Sequence, residues 1–97
     1  MKYRIAKRNE ANMTCLQGFV NTTYDHIVSV LGKPIGSGDK TTAEWIINFN
    51  GTVATIYDYK EKSTPKQLHD WHIGGHNDKV IELVGQLLNC AARDWRA

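Results

Sequence analysis

Long apolar runs are missing from this chain: no stretch approaches the ~20 consecutive residues that a membrane-spanning helix needs. Cysteine is scarce, with only Cys15 and Cys90 far apart in sequence. A disulfide-stapled scaffold is therefore excluded, and two buried thiols are the expected state in a reducing compartment. Proline is confined to Pro34 and Pro65, which leaves long segments free to form regular structure. No charge of one sign dominates: the formal net charge is +2, too small by itself to argue for nucleic acid. The basic start, Met1 to Arg8, has no apolar stretch behind it, so no secretory signal is read there and a cytoplasmic location is expected. The Asn-x-Thr sequons at Asn12, Asn21 and Asn50 then carry no weight for glycosylation.

What is present fits one α+β domain over residues 1–97, with 41% hydrophobic and 23% charged residues arguing against disorder. Residues 2–7 alternate Tyr3 and Ile5 with Lys2 and Arg4, the pattern of a short basic edge strand. Residues 14–20 lean to β, with Gly18 marking a bend or bulge. Thr22 or Thr23 can cap a helix from Tyr24 to Leu31, ended by Gly32 and Pro34. Residues 36–40 read as a flexible loop.

Two β-rich runs between Thr41 and Lys60 flank Asn50-Gly51, a strong hairpin signal. A third strand is expected from Leu68 to Ile73, stopped by Gly74-Gly75. Asn77 or Asp78 then caps a helix predicted from Lys79 to Ala92 on the period of Val80, Ile81, Val84, Leu87, Leu88 and Ala91. Residues 93–96 continue that helix or fray. The expected order is ββαβββα, a two-layer sandwich of an antiparallel sheet with both helices on one face.

A two-residue turn at Asn50-Gly51 fixes the register, because side chains alternate faces along each strand. One face carries Ala43, Trp45, Ile47, Phe49, Thr52, Ala54, Ile56 and Asp58, the better core. The other carries Glu44, Ile46, Asn48, Val53, Thr55, Tyr57 and Tyr59. That second face is aromatic and hydroxyl-rich. It makes Glu44, Tyr57, Tyr59 and Lys60 candidate partner contacts, with Trp95 and the basic N-terminus as secondary ones. Lys60, Lys62 and Lys66 would extend a basic patch if they met the N-terminal cations.

Several chemical readings compete. Asp58-x-Lys60 after Glu44 resembles the carboxylate hairpin of metal-dependent nucleases, but the register sends the two acids to opposite faces, away from a shared cation. His69, His72 and His76 lack the spacing of a zinc site, since a strand turns His69 and His72 apart. No local feature joins Cys15 to a histidine and Asp25 as a nucleophilic triad. Gly74-Gly75-His76 ahead of a helix with Lys79 in its first turn is the candidate anion site, and it would serve a nucleotide-type ligand. No metal, cofactor or catalytic residue is expected.

Leu16-Gln17-Gly18-Phe19, Tyr24-Asp25-x-Ile27-Val28, Leu31-Gly32-x-Pro34, Glu44-Trp45, the run from Gly51 to Lys60 and Trp71-His72-Ile73-Gly74-Gly75 together resemble a family of short bacteriophage and large DNA virus proteins. The resemblance covers about residues 14–88 and supplies no catalytic residues. It implies a viral accessory protein that binds and inhibits a host protein or nucleoprotein, such as an anti-CRISPR-type or other anti-defence inhibitor in the host cytoplasm. A sponge for a nucleotide-type small molecule is the alternative, and a metal nuclease the lesser one.

Overall fold

Asn50 (φ 55°) and Gly51 (φ 104°) both adopt left-handed backbone, the pair of angles that a tight hairpin with native strand twist requires. The computed structural model describes residues 1–36, 38 and 40–97. The loop expected at 36–40 falls partly on Ser37 and Asp39, which lie outside the described residues. From the turn, β3 (Glu44–Phe49) and β4 (Thr52–Tyr57) pair as the sequence predicts: Phe49 with Thr52, Ile47 with Ala54, Trp45 with Ile56.

The other strands are β1 (Arg4–Ile5), β2 (Cys15–Thr22), β5 (His69–Gly75) and β6 (Ala92–Asp94). Together they form one six-stranded sheet in the order β1-β3-β4-β5-β2-β6, with every neighbouring pair antiparallel. Two helices, α1 (Tyr24–Leu31) and α2 (Lys79–Leu88), complete a mixed α+β fold. Neither is long and apolar enough to cross a membrane.

Three boundaries differ from the sequence reading. The predicted order ββαβββα gains a final strand, because α2 stops at Leu88 and not at Ala92. Asn89 takes left-handed backbone (φ 54°) and turns the chain back, so that Ala92–Asp94 pairs with Val20, Phe19 and Gly18 of β2. Gly74-Gly75 does not stop the third strand but belongs to it. Both glycines are buried, and a Cβ on Gly74 would stand 2.3 Å from the Thr55 hydroxyl and one on Gly75 2.7 Å from Val80. The glycines are there because neighbouring elements come too close for a side chain. Finally, β1 is two residues long, and a 3-10 turn follows it at Arg8–Ala11.

One buried cluster unites Ile27 and Leu31 of α1 with Val80, Val84 and Leu88 of α2 and with Val20, Trp45, Ile47, Ala54, Ile56, Trp71 and Ile73 of the sheet. Trp45 and Trp71 meet edge to face at 5.6 Å in its centre. Their indole N–H groups brace the two ends of α1: Trp71 donates to the Thr22 carbonyl (3.2 Å) and Trp45 to that of Gly32 (2.8 Å). Inside those braces the Thr23 hydroxyl caps the helix by accepting from the His26 N–H, and the Gly32 N–H closes it on Val28. Each fully buried aliphatic side chain contributes about 1.5–3 kcal/mol here, which is what fixes the faces of the sheet.

Candidate functional site

Alternation away from that core gives the sheet a second face with two halves. Over β3 and β4 the face is covered. The chain crosses it through the 3-10 turn, where Arg8 donates to Glu44 at 2.7 Å and Glu10 accepts from Asn48 at 3.3 Å. Glu10 also receives two bonds from Arg4 (2.7 and 3.1 Å) and one from the Lys7 N–H (2.9 Å). These donors, Arg4 foremost, hold the Glu10 carboxyl down at about 2. Ile46, on the same face, is fully buried in consequence.

Over the end of β4, β5, β2 and β6 the face is open. There one residue from each strand stands beside the next: Tyr57 pairs with His72, His72 with Phe19, and Phe19 with Arg93. The rings follow the backbone pairing. Tyr57 lies 5.2 Å from His72, and Phe19 meets His72 edge to face at 5.0 Å. Tyr59, just past β4, adds a fourth ring 5.4 Å from His72. Cations sit on the ends of the row: Arg93 lies 4.8 Å from the centre of Phe19, and Lys60 5.2 Å from that of Tyr59. Such contacts add about 0.5–1 kcal/mol at exposed sites.

Burial, and secondarily the charge of His69, pushes the His72 imidazole below its ordinary value, so the ring is neutral at pH 7. Its Nδ1 is buried and has no hydrogen-bond partner among the described residues. Burial, then the nearby Glu44 carboxylate, raises the Tyr57 phenol. Asp70 lies in the next row, where bonds from Arg93 (3.1 Å) and Asn21 (2.9 Å) lower its carboxyl.

Of the predicted contact residues, Tyr57, Tyr59 and Lys60 belong to this open face. Glu44 is mostly covered, its side chain 16% exposed and engaged by Arg8. Trp95 is 51% exposed but follows β6, three strands from β4, roughly 15 Å away at ordinary strand spacing. Its N–H donates to the Gln17 carbonyl, so the tail extends the edge pairing and does not fray. Sequence reading missed Phe19, His72 and Arg93. The pairing of β2 with β5 and β6 brings them into line, and no local pattern encodes it.

Arg4 and Arg8 are engaged by Glu10 and Glu44, and the Lys66 ammonium stands 3.8 Å over Tyr24 at the start of α1.

Asp58 ends on the opposite face from Glu44, as the register requires. In the fold it is fully buried and accepts from the Thr42 and Ala43 N–H groups (2.7 and 3.0 Å) and the Thr42 hydroxyl. It organises the entry to β3.

Cys15 is exposed, contrary to the expected buried thiol, because it opens β2 at the rim of a recess of about 200 Å³ beside Thr55, Tyr57 and Gly74. Cys90 is half-buried and also free.

At the start of α2 the Lys79 N–H is taken by Asn77 Oδ1 (3.0 Å), and the Asp78 carboxylate precedes it. An anion there would meet a carboxylate and a donor already in use. His76 is exposed, while Gly74 and Gly75 are enclosed within β5.

Comparison with protein-family models, with curated proteins and with solved structures found no match to this chain.

Proposed function

We propose that the protein is a binding module without catalytic function, and that it engages a macromolecule through the open half of its sheet. In this reading the architecture is a two-layer sandwich. Both helices join the same buried cluster, which leaves the opposite face of β5, β2 and β6 uncovered. The observation that carries the reading is the unbroken row Tyr57–His72–Phe19–Arg93, one side chain per strand, on a face the core does not use. Aromatic and arginine side chains in such density are the residue types that dominate contact energy. A small viral accessory protein that blocks a host protein or nucleoprotein, in the manner of an anti-defence or anti-CRISPR-type inhibitor, is the biological form of the proposal.

The test is capture of the partner by immobilised protein, comparing wild type with Tyr57→Ala/Tyr59→Ala. The double variant should unfold at a temperature near the wild type's and lose at least about 30-fold in affinity, the mark of a contact hot spot. Capture unchanged in a folded double variant would overturn the reading.

A further inference from the structure

We propose that the open face binds single-stranded nucleic acid, with bases stacking along the Tyr59/Tyr57–His72–Phe19 row and phosphates meeting Arg93 and Lys60. This inference rests on the open face being a contact surface, and it names the partner class.

Three features carry it. First, the row is an open surface: its rings stand at centroid spacings of 5.0–5.4 Å, tilted by 32–75° to one another, and a recess of about 200 Å³ adjoins Tyr57 and Tyr59. Unstacked bases stack on aromatic side chains presented on an open surface of this kind. Second, the charge is placed for a polyanion. A guanidinium lies over Phe19 at one end and an ammonium over Tyr59 at the other. Glu44 is held by Arg8, and Asp70 by Arg93 itself at 3.1 Å, so a phosphate at that end would compete with the Asp70 carboxylate for the guanidinium, while Lys60 at the other end is the cation nearest Tyr59. Third, His72 packs against Tyr57, Tyr59 and Phe19 and joins them into one continuous row across the strands.

A duplex does not satisfy this geometry, because its bases are already stacked on one another and cannot lie on the rings. Glu61, in the loop after Lys60 and close enough to influence His72, opposes a phosphate chain.

The experiment is fluorescence anisotropy with labelled oligonucleotides of about 10 nucleotides, in the size range one small platform covers. Separate arms use single-stranded DNA, single-stranded RNA and a duplex. At least one single strand should bind more tightly than the duplex, and the DNA and RNA arms identify which sugar is accepted. Phe19→Leu keeps an apolar side chain but removes the ring, and should weaken binding by about tenfold. Arg93→Gln should reduce the dependence of log K on log salt by about one. Glu61→Gln should tighten binding.

Two results would overturn the inference: no single strand bound at low salt, or equal binding by folded Phe19→Leu and wild type. If macromolecular capture still depends on Tyr57 and Tyr59 in that case, the contact-face reading stands and only the nucleic-acid assignment falls. Loss of both refutes both.

Discussion

Removing the Asp58 carboxylate separates a structural acid from a cation-binding one. Asp58 is fully buried and receives the Thr42 and Ala43 N–H groups on one oxygen and the Thr42 hydroxyl on the other. Asp58→Ala leaves two backbone donors without an acceptor, at about 1–3 kcal/mol each. The Thr42 hydroxyl keeps Thr64 at 2.7 Å, so its loss is smaller. The expected cost is about 3–5 kcal/mol, a large part of the ~5–15 kcal/mol that stabilises a domain of this size.

With a urea dependence of about 1.5 kcal/mol per molar, the unfolding midpoint should fall by roughly 2–3 M. Asp58→Asn keeps one oxygen for both N–H groups, and its amide can donate to the Thr42 hydroxyl, which turns toward Thr64. Its midpoint should fall by about 1 M or less. Equilibrium urea unfolding followed by tryptophan fluorescence measures both. A fall of less than about 0.5 M for Asp58→Ala would refute the argument, since an acid held in reserve for a metal ion would leave the empty fold nearly as stable without it.

Two further outcomes follow from packing and protonation. Gly74→Ala should lower the melting temperature by roughly 5–15 °C, because its Cβ would stand 2.3 Å from the buried Thr55 hydroxyl; adding Thr55→Ala should bring the double variant close to Thr55→Ala alone, and calorimetry showing no such rescue would remove the steric explanation. His72 has a lowered native pKa, so the unfolded chain binds the proton first as pH falls below the ordinary value of about 6.5. Its contribution is therefore complete above that pH and declines below it. The urea midpoint should drop between pH 7.5 and about 5.5, and His72→Phe should flatten the drop. Glu10 and Asp94, both held at about 2, stay ionised throughout that window and do not confuse the reading.

The sequence was most legible where structure is local. Asn50-Gly51 set the whole β3–β4 register, and with it the separation of Glu44 from Asp58. Thr23, Gly32 and Pro34 marked the limits of α1 through chemistry contained in a dozen residues. It was least legible where distant segments decide. The apolar period of α2 runs on through Ala91, and only the left-handed Asn89, a residue less diagnostic than glycine, ends it. Ala92-Arg93-Asp94 has little β-propensity, and it is a strand because β2 offers an edge. Gly74-Gly75 reads locally as a breaker, but packing against Thr55 and Val80 makes it strand interior. The ring row shared this fate. Tyr57 and Tyr59 were visible from the hairpin, whereas Phe19, His72 and Arg93 join them only after β2, β5 and β6 have assembled.

The irregular step in β2 between Leu16 and Gly18 acts on that assembly like a shift in reading frame. Beyond it Phe19 stands opposite His72 and Val20 opposite Trp71, so the phenylalanine meets water and the valine meets the core. The extra residue, Gln17, absorbs the change of register: Leu16 stands opposite Gly74 and Gly18 opposite Ile73, so the segments on both sides of the step keep their faces. A one-residue change at this step is taken up by the bulge, whereas one inside the regular run from Gly18 to Thr22 would carry every side chain on one side of it to the opposite face.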